Sequence, residues 1–109
     1  MLKFLSLLVV MLGLGLGLAA CGGSPSSLQL CHELCDTQRR CGALTDATAS
    51  NCHTSCDSMK GSLADTDSSN DRNCKNAGSI RSSQESCLGQ DCNKVDPCLN
   101  AIDTTCVVK

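Results

Sequence analysis

The chain has 109 residues, eleven cysteines and a formal net charge of −2, and only 1% of its residues are aromatic. A chain of this length forms one domain. Its charges of both signs are interspersed, with no basic stripe that would indicate a nucleic-acid partner. The sole aromatic residue, Phe4, lies in an apolar N-terminal stretch, so the rest of the chain must fold around a thin core. A domain of such composition usually needs covalent or metal staples.

The first twenty residues have the pattern of an export signal. Lys3 supplies a positive charge, an apolar run extends from Phe4 to Leu18, and two alanines follow. The run is too short and too sharply ended for a membrane span. Its last segment, Leu-Ala-Ala-Cys ending at Cys21, resembles the lipobox of bacterial lipoproteins.

The lipobox resemblance implies that residues 1–20 are a signal peptide and that Cys21 begins the mature chain with a thioether-linked diacylglycerol. Acyl chains such as palmitate would then anchor the protein stably without a transmembrane helix. The odd number of cysteines favours this interpretation, because an unpaired cysteine in an exported chain needs an explanation. Without Cys21 ten cysteines remain, and these can all pair in disulfides. The alternative is an ordinary secretory signal that releases a soluble protein.

The resemblance also implies a location in the cell envelope. Gly22, and not Asp, follows the cysteine, which argues against retention at an inner membrane and gives an outer-membrane address if the organism is diderm. Residues 21–27 comprise the lipidated cysteine and a flexible tether that reaches up to roughly 20 Å. Residues 28–109 form the cysteine-rich helical domain.

The first helix is predicted at about residues 28–41. Ser26 and Gln29 have the spacing of a capping box before it, and Gly42 offers a left-handed stop after it. A second helix is predicted to begin near Ser50. Its stripe of helical spacing consists of Cys52, Cys56, Met59 and Leu63.

The polar tract Asp65–Asp71 is predicted to be a loop, because it is rich in turn-forming residues. A third helix is expected from about Arg72 to Leu88. A fourth is expected after Asp96 and Pro97, an N-cap followed by proline at the first helical position. No stretch alternates as a strand does. The predicted fold class is therefore all-α, a small disulfide-stapled helical hairpin or bundle of three to four short helices.

The motif C-H-x-x-C-D occurs twice, beginning at Cys31 and at Cys52. Cysteines at i and i+4 project from one helix face, so two such helices packed antiparallel can form two bonds. The antiparallel match pairs Cys31 with Cys56 and Cys35 with Cys52. The outer bond would close a loop of about 26 residues, worth about 3.5 kcal/mol in the chain-entropy model.

This paired arrangement resembles the helical hairpins of plant α-hairpinin peptides over about residues 28–60. It is also similar to small cysteine-rich lipoproteins of the myxobacterial type. Both resemblances concern structure and imply no particular activity. For the remaining cysteines we favour a bond between Cys87 and Cys106 and leave the other pairings open. These six are Cys41, Cys74, Cys87, Cys92, Cys98 and Cys106.

His32 and His53 each follow the first cysteine of a motif, which raises the question of a metal site. Disulfides are favoured over zinc, because zinc motifs usually read C-x₂-C and need thiolates that survive export. The spacing also differs from that of haem-attachment and redox motifs. No metal or other cofactor is predicted. Both histidines are expected to flank the hairpin seam, partly exposed, with pH sensing as the alternative.

No nucleophile motif singles out a catalytic set, so the chain is not predicted to be an enzyme. The predicted function is that of a membrane-anchored cysteine-rich lipoprotein, a structural or interaction module at the cell envelope. Its partners are the membrane, through the lipid anchor, and an unidentified protein. One alternative is a metal-binding or envelope-stress lipoprotein. Another is a peptidase inhibitor or toxin-like effector.

Overall fold

A computed structural model describes residues 23–109 of the chain. These residues form five α-helices, whereas the sequence predicted three to four, and they contain no β-strand. The predicted all-α class is confirmed. The signal peptide and Cys21 lie outside the described residues. The helices are α1 (Ser27–Arg40), α2 (Asp46–Ser58), α3 (Lys60–Asn73), α4 (Ala77–Leu88) and α5 (Cys92–Ala101).

Helix α1 begins and ends close to its predicted limits. The Ser26 hydroxyl accepts a hydrogen bond from the Gln29 amide at 3.1 Å, which is the first half of the predicted capping box. The Gln29 side chain does not complete that box, because it donates to Glu33 and Glu85. Gly42 follows the helix with a φ of 80°, the left-handed conformation expected of a glycine stop.

Helix α2 begins at Asp46, earlier than the predicted start near Ser50. Thr45 and Thr48 form a reciprocal capping box, in which each side chain accepts from the other residue's amide. A turn at Met59 separates α2 from α3, so the predicted stripe through Leu63 spans two helices.

The prediction of a loop at Asp65–Asp71 is wrong, because this tract lies within α3. No residue of α3 is buried, and its composition alone indicates a turn-rich segment. Polar contacts hold the helix: Asp67 accepts from the Ser27 amide at 2.8 Å, and Asp71 pairs with Arg81 at 2.9 Å. Aspartates at i and i+4 face the same neighbours on a helix.

The last two predicted helices are also displaced. Helix α4 begins at Ala77, after a turn at residues 75–76, and not at Arg72. Helix α5 begins at Cys92 and contains Pro97 in its interior, so the Asp-Pro pair is not its start. After Ala101 the chain is irregular, which removes the predicted helical stripe toward Cys106.

All ten cysteines of residues 23–109 form disulfides. The predicted rungs Cys31–Cys56 and Cys35–Cys52 are confirmed, each with a Cα–Cα distance of 5.8 Å. The other three bonds are Cys41–Cys92, Cys74–Cys106 and Cys87–Cys98.

The favoured bond between Cys87 and Cys106 is therefore wrong. The C-terminal segment runs back to the turn between α3 and α4, where Lys75 donates its amide to the Val107 carbonyl at 2.7 Å. The Asn76 side chain also bonds this segment, at Thr105 and Val107. These contacts carry Cys106 away from the end of α4 and place it beside Cys74.

The core is small and rich in cystine sulfur, as expected for a domain without aromatic side chains. The largest fully buried side chains in the described residues are Cys35 and Cys56. The buried apolar residues are Cys35, Ala49, Cys56, Ala77, Cys87, Leu88 and Val95.

Part of the predicted tether packs on the domain. Pro25 is buried, and its carbonyl accepts a hydrogen bond from Arg81 Nε at 2.8 Å. Nearby, a Cβ built on Gly78 would meet Ser24 Oγ at 2.5 Å, so glycine permits this close approach. The tether expected to be flexible through residue 27 is thus fixed to the domain from Pro25 onward.

Candidate functional site: the histidine–aspartate cluster

The two C-H-x-x-C-D motifs bring four polar side chains together across the seam between α1 and α2. His32 Nδ1 lies 2.6 Å from His53 Nδ1. His32 Nε2 lies 2.9 Å from Asp57 Oδ1, and His53 Nε2 lies 2.8 Å from Asp36 Oδ1. We call these four residues the histidine–aspartate cluster.

The cluster has approximate twofold symmetry, which follows from the repeated motif. The two histidines contact each other, and each contacts the aspartate that ends the opposite motif. The disulfide rungs have the same twofold symmetry, because each joins the first cysteine of one motif to the second cysteine of the other. An antiparallel helix pair with equal motifs therefore builds the rungs and the cluster together.

The imidazole rings of His32 and His53 meet edge to edge. Their centroids are 4.9 Å apart and their planes differ by 17°. The centroid distance exceeds the Nδ1–Nδ1 distance by about two ring radii, so both nitrogens must lie on the line between the ring centres. The rings consequently share nearly one plane, and the in-plane lone-pair or N–H direction of each Nδ1 points at the other.

The aspartates make the outer nitrogen of each ring a hydrogen-bond donor. An ionised carboxylate only accepts hydrogen bonds, so Nε2 of each ring carries a proton toward its aspartate. The two facing Nδ1 atoms can form a hydrogen bond only if one is protonated and the other is not. The facing Nδ1 atoms, 2.6 Å apart, are thus the inner pair of ring nitrogens, and the Nε2 atoms are the outer pair held by the aspartates.

The cluster is open to solvent on its outer side. The His32 and His53 side chains are 29% and 32% exposed, and their aspartate partners are more exposed. The cysteines beside them are oxidised and supply no thiolate. Within residues 23–109, no group of three or more His, Cys, Asp or Glu side chains forms a ready-made metal site. The cluster offers two imidazole nitrogens to a proton or a small cation.

Sequence reasoning found part of this site. The expected position of the histidines at the hairpin seam, partly exposed, agrees with the structure. Contact between the two rings, and the roles of Asp36 and Asp57, were missed. The aspartate that ends each motif could have indicated this contact. His and Asp four residues apart share a helix face and so point toward the same neighbouring helix.

A second polar contact joins α1 to α4. The side-chain nitrogen Nε2 of Gln29 donates to both Glu33 and Glu85, at 3.1 Å each. Partial burial, followed by the nearby Glu33 carboxylate, raises the pKa of Glu85 above its ordinary value.

A scan against known protein families found no matching family, and searches of curated proteins and of solved structures found no match. Among the described residues, no helix is long and apolar enough to cross a membrane.

Proposed function

We propose that this protein is a lipid-anchored module of the cell envelope, built as a disulfide-stapled helical domain with a structural or interaction role. The observation that carries the proposal is cysteine pairing. Five disulfides use all ten cysteines of residues 23–109, so Cys21 is the single cysteine left over. That cysteine ends the lipobox-like segment, where acylation of its sulfur accounts for the odd count.

The packing of Pro25 supports a role close to the membrane. Only residues 22–24 separate Cys21 from the buried Pro25. At about 3.3–3.6 Å per residue, the extended chain holds the domain within roughly 15 Å of a bilayer that carries the lipid. The start of α1 and the neighbouring part of α4 then face the membrane, and the opposite end is presented to partners.

The disulfide network supports a structural role. Oxidising compartments outside the cytosol maintain such bonds, and each of the five helices or the residue directly following it carries a bonded cysteine. A domain with few large apolar side chains stays folded under these conditions because its unfolded ensemble is restricted.

The test is expression of the full chain and its Cys21→Ser variant in a bacterium that processes lipoproteins. Intact mass and partitioning into detergent are measured. We expect the wild type to begin at Cys21 with a diacylglycerol and acyl mass and to partition with detergent. The Cys21→Ser variant should lose both properties, whereas a Ser24→Ala control should keep them. An unmodified, soluble wild-type chain would contradict the proposal.

A further inference from the structure

We propose that His32 and His53 bind one divalent transition-metal ion, Zn²⁺ or Cu²⁺, through their facing Nδ1 atoms. This site lies on the α1–α2 hairpin and does not depend on lipidation of the chain.

The outer hydrogen bonds of the rings are those of metal-ligating histidines. Such histidines usually donate the N–H of the non-ligating nitrogen to a carboxylate, which fixes the tautomer and increases the basicity of the ligand nitrogen. Asp57 and Asp36 occupy this position toward His32 and His53, at 2.9 and 2.8 Å. Both Nδ1 atoms are thereby directed inward at one point.

The donor set determines the class of metal. Imidazole nitrogen suits Zn²⁺ and Cu²⁺, whereas thiolate would favour softer ions and oxygen alone would favour Mg²⁺ or Ca²⁺. The adjacent cysteines are in disulfides, which leaves two nitrogens as the protein ligands. The partial exposure of both rings allows water to complete the coordination. The site is thus an open one with two protein ligands.

Binding requires a small separation of the rings. A Zn–N bond measures about 2.0–2.1 Å, so the two Nδ1 atoms must move apart from 2.6 Å to roughly 3–4 Å. The aspartates can follow, since the side chains of Asp36 and Asp57 are 58% and 68% exposed. The two disulfide rungs hold α1 and α2 together, so the movement is confined to side chains.

Metal binding requires both Nδ1 atoms to be deprotonated. The metal ion accepts one lone pair from each Nδ1, and any proton on either atom leaves to solvent. Each Nε2 keeps its proton and its aspartate. The two neighbouring carboxylates offset the charge of the incoming cation.

The test uses the full chain, purified in detergent without reductant and alkylated so that any free thiol is capped. Zn²⁺ and Cu²⁺ are titrated separately by calorimetry. We expect one ion to bind per chain. His32→Gln and His53→Gln should each weaken binding at least about tenfold, and Asp36→Asn with Asp57→Asn should weaken it about 10- to 100-fold.

Asp46→Asn is the matched control, since it removes one carboxylate from α2 outside the cluster and should leave affinity unchanged. Circular dichroism verifies the helical content of each variant. A second measurement uses the wild type alone. In its nuclear magnetic resonance spectrum, Cu²⁺ should broaden the ring signals of both histidines. Absence of binding at millimolar metal, or binding that both histidine variants retain, would overturn the proposal. Neither result bears on whether Cys21 is lipidated.

Discussion

Asp67 connects three parts of the chain through one carboxylate. It accepts hydrogen bonds from the amide and hydroxyl of Ser27, at the first turn of α1, and it lies 3.7 Å from Arg81 of α4. The Asp67 and Arg81 side chains are only 13% and 12% exposed. A negative charge at a helix N-terminus is favourable, and a poorly solvated ion pair is costly to break from one side.

Replacing Asp67 with Asn should destabilise the domain by about 1–2 kcal/mol, because Arg81 loses a shielded partner and α1 loses a charged cap. Thermal unfolding followed by circular dichroism, with disulfides intact, measures the loss. Asp65→Asn removes an exposed carboxylate from the same helix and should change stability by less than about 0.5 kcal/mol. Equal effects of the two changes would contradict this role of Asp67.

Glu85 illustrates a residue whose charge opposes folding. Its pKa is raised first by partial burial and then by the neighbouring Glu33 carboxylate. Because the pKa is higher in the folded chain than in the unfolded chain, ionised Glu85 lowers stability at neutral pH. This cost disappears as the pH falls through the raised pKa and below the ordinary value.

Glu85→Gln should therefore raise stability at pH 7 by a few tenths of a kcal/mol, a small amount because the site is partly solvated. The advantage over wild type should vanish in acid, where Glu85 is protonated. Melting temperatures of both proteins across the pH range provide the measurement. Glu33→Gln added to Glu85→Gln should give little further gain, and a fully additive second gain would show that the two carboxylates do not interact.

Among the elements, the α1–α2 hairpin is the most strongly specified. Two disulfide rungs and the histidine–aspartate cluster all lie on its seam, and Cys35 and Cys56 are almost completely buried. The rungs are coupled through the unfolded state. Once either bond exists, the loop between the helices is largely closed, so the second bond removes less chain entropy than the first.

Replacing one rung at a time by alanines should reveal this coupling. Cys31→Ala with Cys56→Ala, or Cys35→Ala with Cys52→Ala, should each cost less than half of what the fourfold variant costs. The fourfold variant should lose about 3.5 kcal/mol or more, from loop closure together with lost packing. Denaturant unfolding of the set tests this, and costs that add without interaction would count against the shared loop.

On the scale of the whole molecule, cystines replace the large side chains of an ordinary core. Beyond the hairpin, one bond joins the end of α1 to α5, one joins α4 to α5, and one ties the C-terminal segment to the end of α3. Ordering each residue costs about 1–2 kcal/mol of conformational entropy, and the few buried apolar side chains offset only part of that cost.

The helical signal in the far ultraviolet should therefore survive EDTA and largely melt on full reduction. Because no Tyr or Trp is present, near-ultraviolet dichroism must come from the cystines and should disappear in parallel. Alkylation after reduction, without any chelator, separates disulfide loss from metal loss. Helicity that persists after reduction but collapses in EDTA would show that the fold depends on metal and not on disulfides.

The sequence by itself determined the all-α class, the start and stop of α1 and both rungs of the hairpin. These depend on local signals: a serine cap, a glycine stop, and cysteines spaced to share a helix face. Tertiary structure decided what composition could not. The polar tract became α3 because Asp67 and Asp71 find partners on other helices, and Cys106 joined Cys74 because the C-terminal segment bonds along the turn after α3. The histidine–aspartate cluster needed both levels, since the repeated motif supplies its four residues and only antiparallel packing brings the two Nδ1 atoms to one point.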